Sequence, residues 1–198
     1  MSKTFTNIDT LLSRRAVLLG AVAGLGAAAV STRGRAALPL AASMAAPGAM
    51  VLIENFSADG RSLGVVRATR VVKTPAQWHA QLSALSFDVT REAATETPFS
   101  GAYDHNFARG LYHCICCGTV VFDSRTKFDS GTGWPSFWQA ISRYNVLQIA
   151  DASLGMQRTA ISCSRCAAHL GHVFDDGPRP TGLRYCMNSV ALNFVAYT

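Results

Sequence analysis

Two short cysteine clusters carry the most explicit chemistry in the chain. Cys114-Ile115-Cys116-Cys117 and Cys163-Ser164-Arg165-Cys166 each contain a Cys-x-x-Cys spacing, and about 45 residues separate them. A two-residue gap lets both sulfurs of a tight turn point at one ion. Two such knuckles therefore supply four thiolates, Cys114, Cys117, Cys163 and Cys166, in the closed tetrahedral array of structural zinc. A single pair would be ambiguous with a thioredoxin-type redox motif; two disulfides, or a redox role for either pair, are the competing readings of the doublet. A metal held this way does folding work, because its binding free energy adds to that of a small domain.

Six cysteines less four ligands leave Cys116 and Cys186. Cys186 lies in Arg184-Tyr185-Cys186-Met187-Asn188-Ser189, a β-like run that puts Asn188, two residues on, on the same face. Just upstream, His169-Leu170-Gly171-His172 supplies two imidazoles. A thiol becomes a useful nucleophile when histidine or arginine lowers its pKa, and this segment holds all three groups. The competing reading of Cys186 is a buried structural thiol, and of the histidines a core role beside the metal loop.

Three longer stretches carry a resemblance. Asp129-Ser130-Gly131-Thr132-Gly133-Trp134-Pro135-Ser136-Phe137, the run His169 to Pro178, and Pro180-Thr181-Gly182-Leu183-Arg184-Tyr185-Cys186-Met187-Asn188 closely resemble the methionine sulfoxide reductase B family, over about residues 72–195. The resemblance implies a mainly antiparallel β fold of the β-tent kind, with a short helical N-terminal lead-in and a structural Zn2+. It implies that Cys186 attacks the sulfur of a methionine R-sulfoxide, in proteins and also free, and becomes a sulfenic acid. His169, His172 and Asn188 would serve the departing oxygen, with Asp176 and Arg184 in support. Trp134, with Phe137, would meet the substrate, the indole forming the apolar wall that selects the R epimer. A thioredoxin-like protein or another thiol would then reduce the sulfenic acid.

Two departures from the family pattern matter. Many relatives place a resolving cysteine where this chain has Thr132. Either Cys116 takes that task, as a candidate resolving thiol, or an external thiol does. In Arg158-Thr159-Ala160, the alanine stands where relatives commonly carry a glutamate of the site. Two other function classes compete. A zinc-ribbon recognition module is one; a related small β fold acting as a carbon–sulfur lyase or chaperone, which would not require the Arg-Tyr-Cys-Met-Asn motif, is the other.

The elements that must position these residues follow from composition and period. The chain has 198 residues, 49% hydrophobic and 15% charged, enough for one domain with a real core. Its formal charge of +6 suggests an anionic partner, but residues 1–37 hold five basic residues and one acid, leaving the rest near neutral. With no basic–aromatic stripe, nucleic acid is excluded as a partner. Ser13-Arg14-Arg15-Ala16-Val17-Leu18-Leu19 leads into an uncharged Gly/Ala-rich run that is short for a bilayer span. Residues 1–37 thus read as a twin-arginine-like signal, implying periplasmic export with transient membrane contact, cleaved after Ala36 or as late as Ala46. An uncleaved membrane anchor is the alternative. Residues 38–50 form a Pro/Ala linker, and 51–198 the reductase-like domain. Within it, Val51–Thr69 predicts a β-hairpin turning at Asp59-Gly60. Thr74 followed by Pro75 predicts a helix over Pro75–Leu85, with Trp78, Leu82 and Leu85 on one face, and a second helix over Asp88–Ala94. Short β-like runs follow: Gly118–Phe122, Asn145–Ala150, Thr159–Cys163, Gly182–Cys186 and Ser189–Tyr197.

Overall fold

The computed structural model describes residues 48–155 and 157–198. The signal segment and most of the linker expected from the sequence lie outside the described residues. Among those described, no helix is long and apolar enough to cross a membrane.

The first element among the described residues is the expected hairpin, β1 (Met50–Phe56) and β2 (Ser62–Thr69), which turns through Gly60 at φ 79°. Two short helices follow. Helix α1 (Pro75–Gln81) opens with a capping box: the Gln77 N–H donates to the Thr74 hydroxyl, and the Thr74 N–H donates to Gln77 Oε1. It does not reach Leu85. Leu82 is extended, and Ser83 opens a new helix, α2 (Ala84–Glu92), by accepting the Ser86 N–H on its hydroxyl. A serine that caps competes with continuation of the preceding helix, so one expected helix becomes two and the second begins at Ala84 rather than Asp88. The buried face changes accordingly. Trp78, Phe87 and Val89 enter the core, while Leu85 stays exposed.

The remainder is antiparallel β, as expected. Strands β3 (Gly110–Cys114), β4 (Val120–Asp123) and β11 (Leu192–Ala196) form a three-stranded sheet ordered β11-β3-β4. Six strands form the second sheet: β5 (Lys127–Phe128), β6 (Ser136–Phe137), β7 (Val146–Asp151), β8 (Arg158–Cys163), β9 (His169–Phe174) and β10 (Arg184–Met187), ordered β5-β6-β10-β9-β8-β7. Strands β3 and β9 were not legible as runs, since each is interrupted by glycine or histidine. The two sheets meet through aromatic side chains. Phe122 stacks on Phe137 at 4.5 Å between ring centroids, and Tyr112 meets Phe137 edge-on at 5.0 Å. Phe122 also meets Tyr185, and all four rings are buried. This junction fixes β6 and β10 from behind, leaving the other faces of Ser136 and Cys186 to the site.

Candidate active site

The two cysteine knuckles have one design. Each cysteine pair starts on the last residue of a strand, Cys114 of β3 or Cys163 of β8. In each, the N–H four residues on returns to the first cysteine's carbonyl, Gly118 to Cys114 and Ala167 to Cys163. The closing residue adopts a positive φ in both, 73° at Gly118 and 57° at Ala167. The four sulfurs of Cys114, Cys117, Cys163 and Cys166 lie within 4.8 Å of one another. The closest approaches run between knuckles, 3.6 Å from Cys114 to Cys166 and 3.5 Å from Cys117 to Cys163, and all the cysteines are free thiols. Four thiolates about 2.3 Å from a tetrahedral zinc ion would stand about 3.8 Å apart, close to what is observed. Their acidities oppose one another: the Cys117 thiol is pulled down, chiefly by Cys114, while Cys114 is pushed up by Cys116 and the other thiols around it. Four crowded sulfurs cannot all ionise without a positive charge among them, so the donor set fits a metal dication.

Cys116 belongs to this neighbourhood. It is buried, and the groups acting on it are Cys114, Cys166, Thr90 and Arg91, whereas those acting on Cys186 are Thr132, Arg184 and Ser136. The two sets share no member.

Cys186 sits in β10 between β6 and β9, opposite Ser136 on one side and His172 on the other. A row of hydroxyls leads to it. Ser130 hydrogen-bonds to both Thr132 and Ser136 at 2.8 Å, and Thr132 Oγ1 lies 3.9 Å from the Cys186 sulfur. Arg184 is held by two hydrogen bonds to Asp176, 2.8 and 2.7 Å. Burial pushes the Cys186 thiol above its ordinary value, against Thr132, Arg184 and Ser136, which pull it down. Neither histidine is among the groups that act on it.

The histidines share a face for a reason the strand period alone does not provide. Residues three apart on a regular strand point to opposite faces. Here the β8–β9 register slips: Ile161 pairs with Gly171 but Ser162 pairs with His169, so Leu170 is an extra residue in β9. That bulge turns His169 back to the side of His172, and their rings stand 5.2 Å apart. Gly171 permits the close approach of β9 to β10, since a Cβ there would fall 2.1 Å from the Cys186 carbonyl oxygen. The two rings differ. His169 Nε2 is buried and has no partner among the described residues, and burial, with His172 beside it, pushes its pKa down to about 4. His172 Nε2 donates to Asp151 Oδ2 at 2.8 Å.

Asn188 lies just past β10, its amide fixed at both ends. Its oxygen accepts the Glu96 N–H at 3.0 Å and its nitrogen donates to the Leu170 carbonyl at 3.2 Å. Glu96 is a hub. Its buried carboxylate accepts from the N–H groups of Ser189 and Val190, and its carbonyl accepts the Trp134 indole N–H at 3.1 Å. Cys186, His172, Asn188 and Trp134, with Thr95, Arg158, Gly171, Phe174 and Met187, line one cavity of about 150 Å3. His169 lines an adjoining one with Asp151.

Phe137, expected beside Trp134 at the substrate, does not line this cavity. It alternates with Ser136 on β6, so with Ser136 facing Cys186 its ring is driven into the aromatic junction between the sheets. Phe174 supplies the second aromatic wall instead. Sequence reading missed Glu96, Asp151 and Arg158. Glu96 and Asp151 act on residues far away in the chain, Arg158 acts on Asp151 and Ser153, and none sits in a local pattern that would mark it.

Comparison with known proteins adds an independent finding. The family model described as the SelR domain matches residues 82–196. The chain is similar to the peptide methionine sulfoxide reductase MsrB of Pseudomonas fluorescens (strain Pf0-1), 55% identical over 126 residues, which are 64% of this chain and 96% of that protein. It is 54% identical to the protein of the same name from Herminiimonas arsenicoxydans over 127 residues, 64% of this chain and 93% of that one. Against that of Pseudomonas putida (strain F1) the identity is 52% over 124 residues, 63% and 95% of the two chains.

Proposed function

The chain belongs to the SelR-domain family of peptide methionine sulfoxide reductases, and from that premise we propose a mechanism in which Cys186 takes the oxygen from a methionine R-sulfoxide. The chain is a peptide-methionine (R)-S-oxide reductase acting on oxidised methionine in proteins. The observation that carries the mechanism is the meeting of Cys186, His172, Asn188 and Trp134 around one small cavity.

The substrate's methyl-bearing sulfur lodges against Trp134 and Phe174, which places its oxygen toward His172 and Asn188. Asn188 has two amide hydrogens and uses one on Leu170, so the other is left for the oxygen. Because burial holds the Cys186 thiol protonated at rest, its proton leaves as the substrate binds, aided by the Thr132 hydroxyl and the Arg184 guanidinium. The sulfur attacks the sulfoxide sulfur, a proton reaches the oxygen, and that oxygen passes to Cys186. A thiol and a sulfoxide become a sulfenic acid and a thioether, with atoms balanced. Two equivalents of an external thiol, from a small dithiol or a thioredoxin-like protein, then return Cys186 to the thiol and release a disulfide and water. Thr132 in place of a resolving cysteine, and the engagement of Cys116 with Cys114 and Cys166 of the knuckles, support that external route. Free methionine sulfoxide fits the same chemistry.

Cys114, Cys117, Cys163 and Cys166 would hold a structural zinc ion, which supplies positive charge to four thiolates and ties two hairpins together. The motif around Arg14-Arg15 supports export of residues 51–198 to the periplasm already folded, so that the metal is loaded before the thiols meet an oxidising compartment.

The test is reduction of the separated R and S epimers of a methionine-sulfoxide peptide by the purified protein with dithiothreitol. Parent enzyme consumes the R epimer; Cys186→Ser lowers that rate at least ~10³-fold with metal content unchanged. A serine variant that still repairs the R epimer removes Cys186 from the chemistry.

A further inference from the structure

Whatever fixes the His172 ring must come from outside its own strand pair. The residue directly across the β8–β9 ladder is Ala160, whose methyl group offers no hydrogen bond. The contact comes from one strand further out. Asp151 ends β7, the edge of the six-stranded sheet, and Ala160 pairs with Ile149 two residues earlier. Residues two apart on a strand share a face, so the Asp151 carboxylate lies on the His172 side of the sheet and reaches it over the small Ala160. Ala160, Asp151, His169 and His172 all line one cavity of about 500 Å3.

We propose that Asp151 is a positioning residue for the sulfoxide chemistry: by accepting from His172 Nε2 it fixes the ring's tautomer and rotation, so that Nδ1 is the nitrogen that serves the substrate oxygen. The inference rests on the reading of Cys186 given above. An ionised carboxylate only accepts hydrogen bonds, so the ring nitrogen facing it carries a hydrogen whether the imidazole is neutral or charged. The neutral ring then bears its lone pair on Nδ1, and the charged ring a donatable proton there. Asp151 is itself held firmly. Its Oδ1 accepts the Ser153 N–H at 2.9 Å, and its Oδ2 accepts Arg158 Nη2 at 2.8 Å alongside His172. Arg158 also donates to the Ser153 hydroxyl at 3.1 Å, tying the end of β8 to the turn after β7. Ser153 first, then His172, with Arg158 adding, hold the carboxyl well below its ordinary range, so it remains a carboxylate throughout the working pH range. The other histidine has no such support: His169 Nε2 is buried and without a partner among the described residues. Of the two imidazoles, His172 is thus the one equipped to hand over a proton.

The experiment is a single turnover of metal-loaded enzyme without reductant, following methionine formation from an R-sulfoxide peptide, for the parent, Asp151→Ala, and Asp151→Ala combined with Ala160→Glu. Side-chain 15N NMR reads the His172 tautomer in each. In Asp151→Ala the limiting rate falls about 10- to 100-fold, the loss expected for a mis-set reacting group, while half-saturation stays within about twofold. The His172 ring changes from one tautomer with hydrogen on Nε2 to a mixture. A glutamate at position 160, directly across from His172, returns a carboxylate from the same side, one strand nearer, and recovers much of the rate. If Asp151→Ala loses metal or melts early, Asp151→Asn, which keeps the side-chain shape, replaces it with the same expected loss of rate. Asp151→Ala turning over within twofold of the parent overturns the proposal, as does a slowed variant whose His172 tautomer is unaltered. A parent that makes no methionine sinks the Cys186 reading as well; an active parent, an inert Cys186→Ser and a fast Asp151→Ala sink Asp151 alone.

Discussion

The chain uses cysteine in two opposite ways, and the contrast lies in what each sulfur faces. The sulfurs of Cys114, Cys117, Cys163 and Cys166 face one another at the ends of two hairpins. Cys186 faces hydroxyls, an arginine and an open cavity, with no other cysteine among the groups that shift it. The first arrangement is closed, suited to a metal and unsuited to a substrate. The second, on the proposed mechanism, is a lone nucleophile kept protonated until something enters beside it. Proximity to other thiols, more than burial, separates the structural sulfurs from the reactive one.

The most forceful way to break this contrast is Cys163→Ser. If the cluster is scaffold, the variant forfeits most of a metal-binding free energy of the order of 10 kcal/mol, comparable to a small domain's whole stability, and no soluble folded protein is recovered. Expression, metal analysis and circular dichroism check this. Folded variant with undiminished metal would mean that the cluster is not a metal site.

A smaller effect sharpens the reactive side. The unfolded chain protonates a histidine near pH 6.5, whereas His169 in the fold resists until about pH 4. Between those values the unfolded state binds more protons, so stability falls as the pH is lowered through that window and is indifferent to this group above it. His169 alone accounts for ~3 kcal/mol at most. Urea unfolding from pH 7 to 4, at matched metal content, should show a shallower slope for His169→Asn than for the parent. Equal slopes would mean that the buried ring is not held neutral.

The smallest effect tests the boundary between the regions. Cys116→Ser should turn over within about twofold of the parent with either a dithiol or a thioredoxin-like protein. A loss confined to the protein reductant would bring Cys116 into the catalytic cycle and dissolve the contrast.

What could be read in advance follows the range of the forces involved. The knuckles were legible because their hydrogen bonds span four or five residues and force a known turn. The hairpin at Asp59-Gly60 was legible for the same reason. The helix over Pro75–Leu85 misled because Trp78, Leu82 and Leu85 make a good stripe, while the single hydroxyl of Ser83 decides where the helix stops. Strand period would have set His169 and His172 on opposite faces; only the motif brought them together, and only the bulge at Leu170 explains how. Asp151 and Glu96 were illegible because their partners lie 21 and more than 90 residues away, and nothing around them marks a carboxylate as an orienting group rather than a surface charge.

Glu96 ties the indole of Trp134 and the amide of Asn188 to one residue, the first through its carbonyl and the second through its N–H. On the proposed mechanism, the surface that gauges a methyl group and the donor that greets an oxygen are therefore both fastened to a single residue, through the peptide units on either side of its Cα. Stereochemical choice depends on the offset between those two reference points rather than on where either stands. A displacement of Glu96 would therefore carry both reference points with it, leaving the spacing that separates one epimer from the other unaltered.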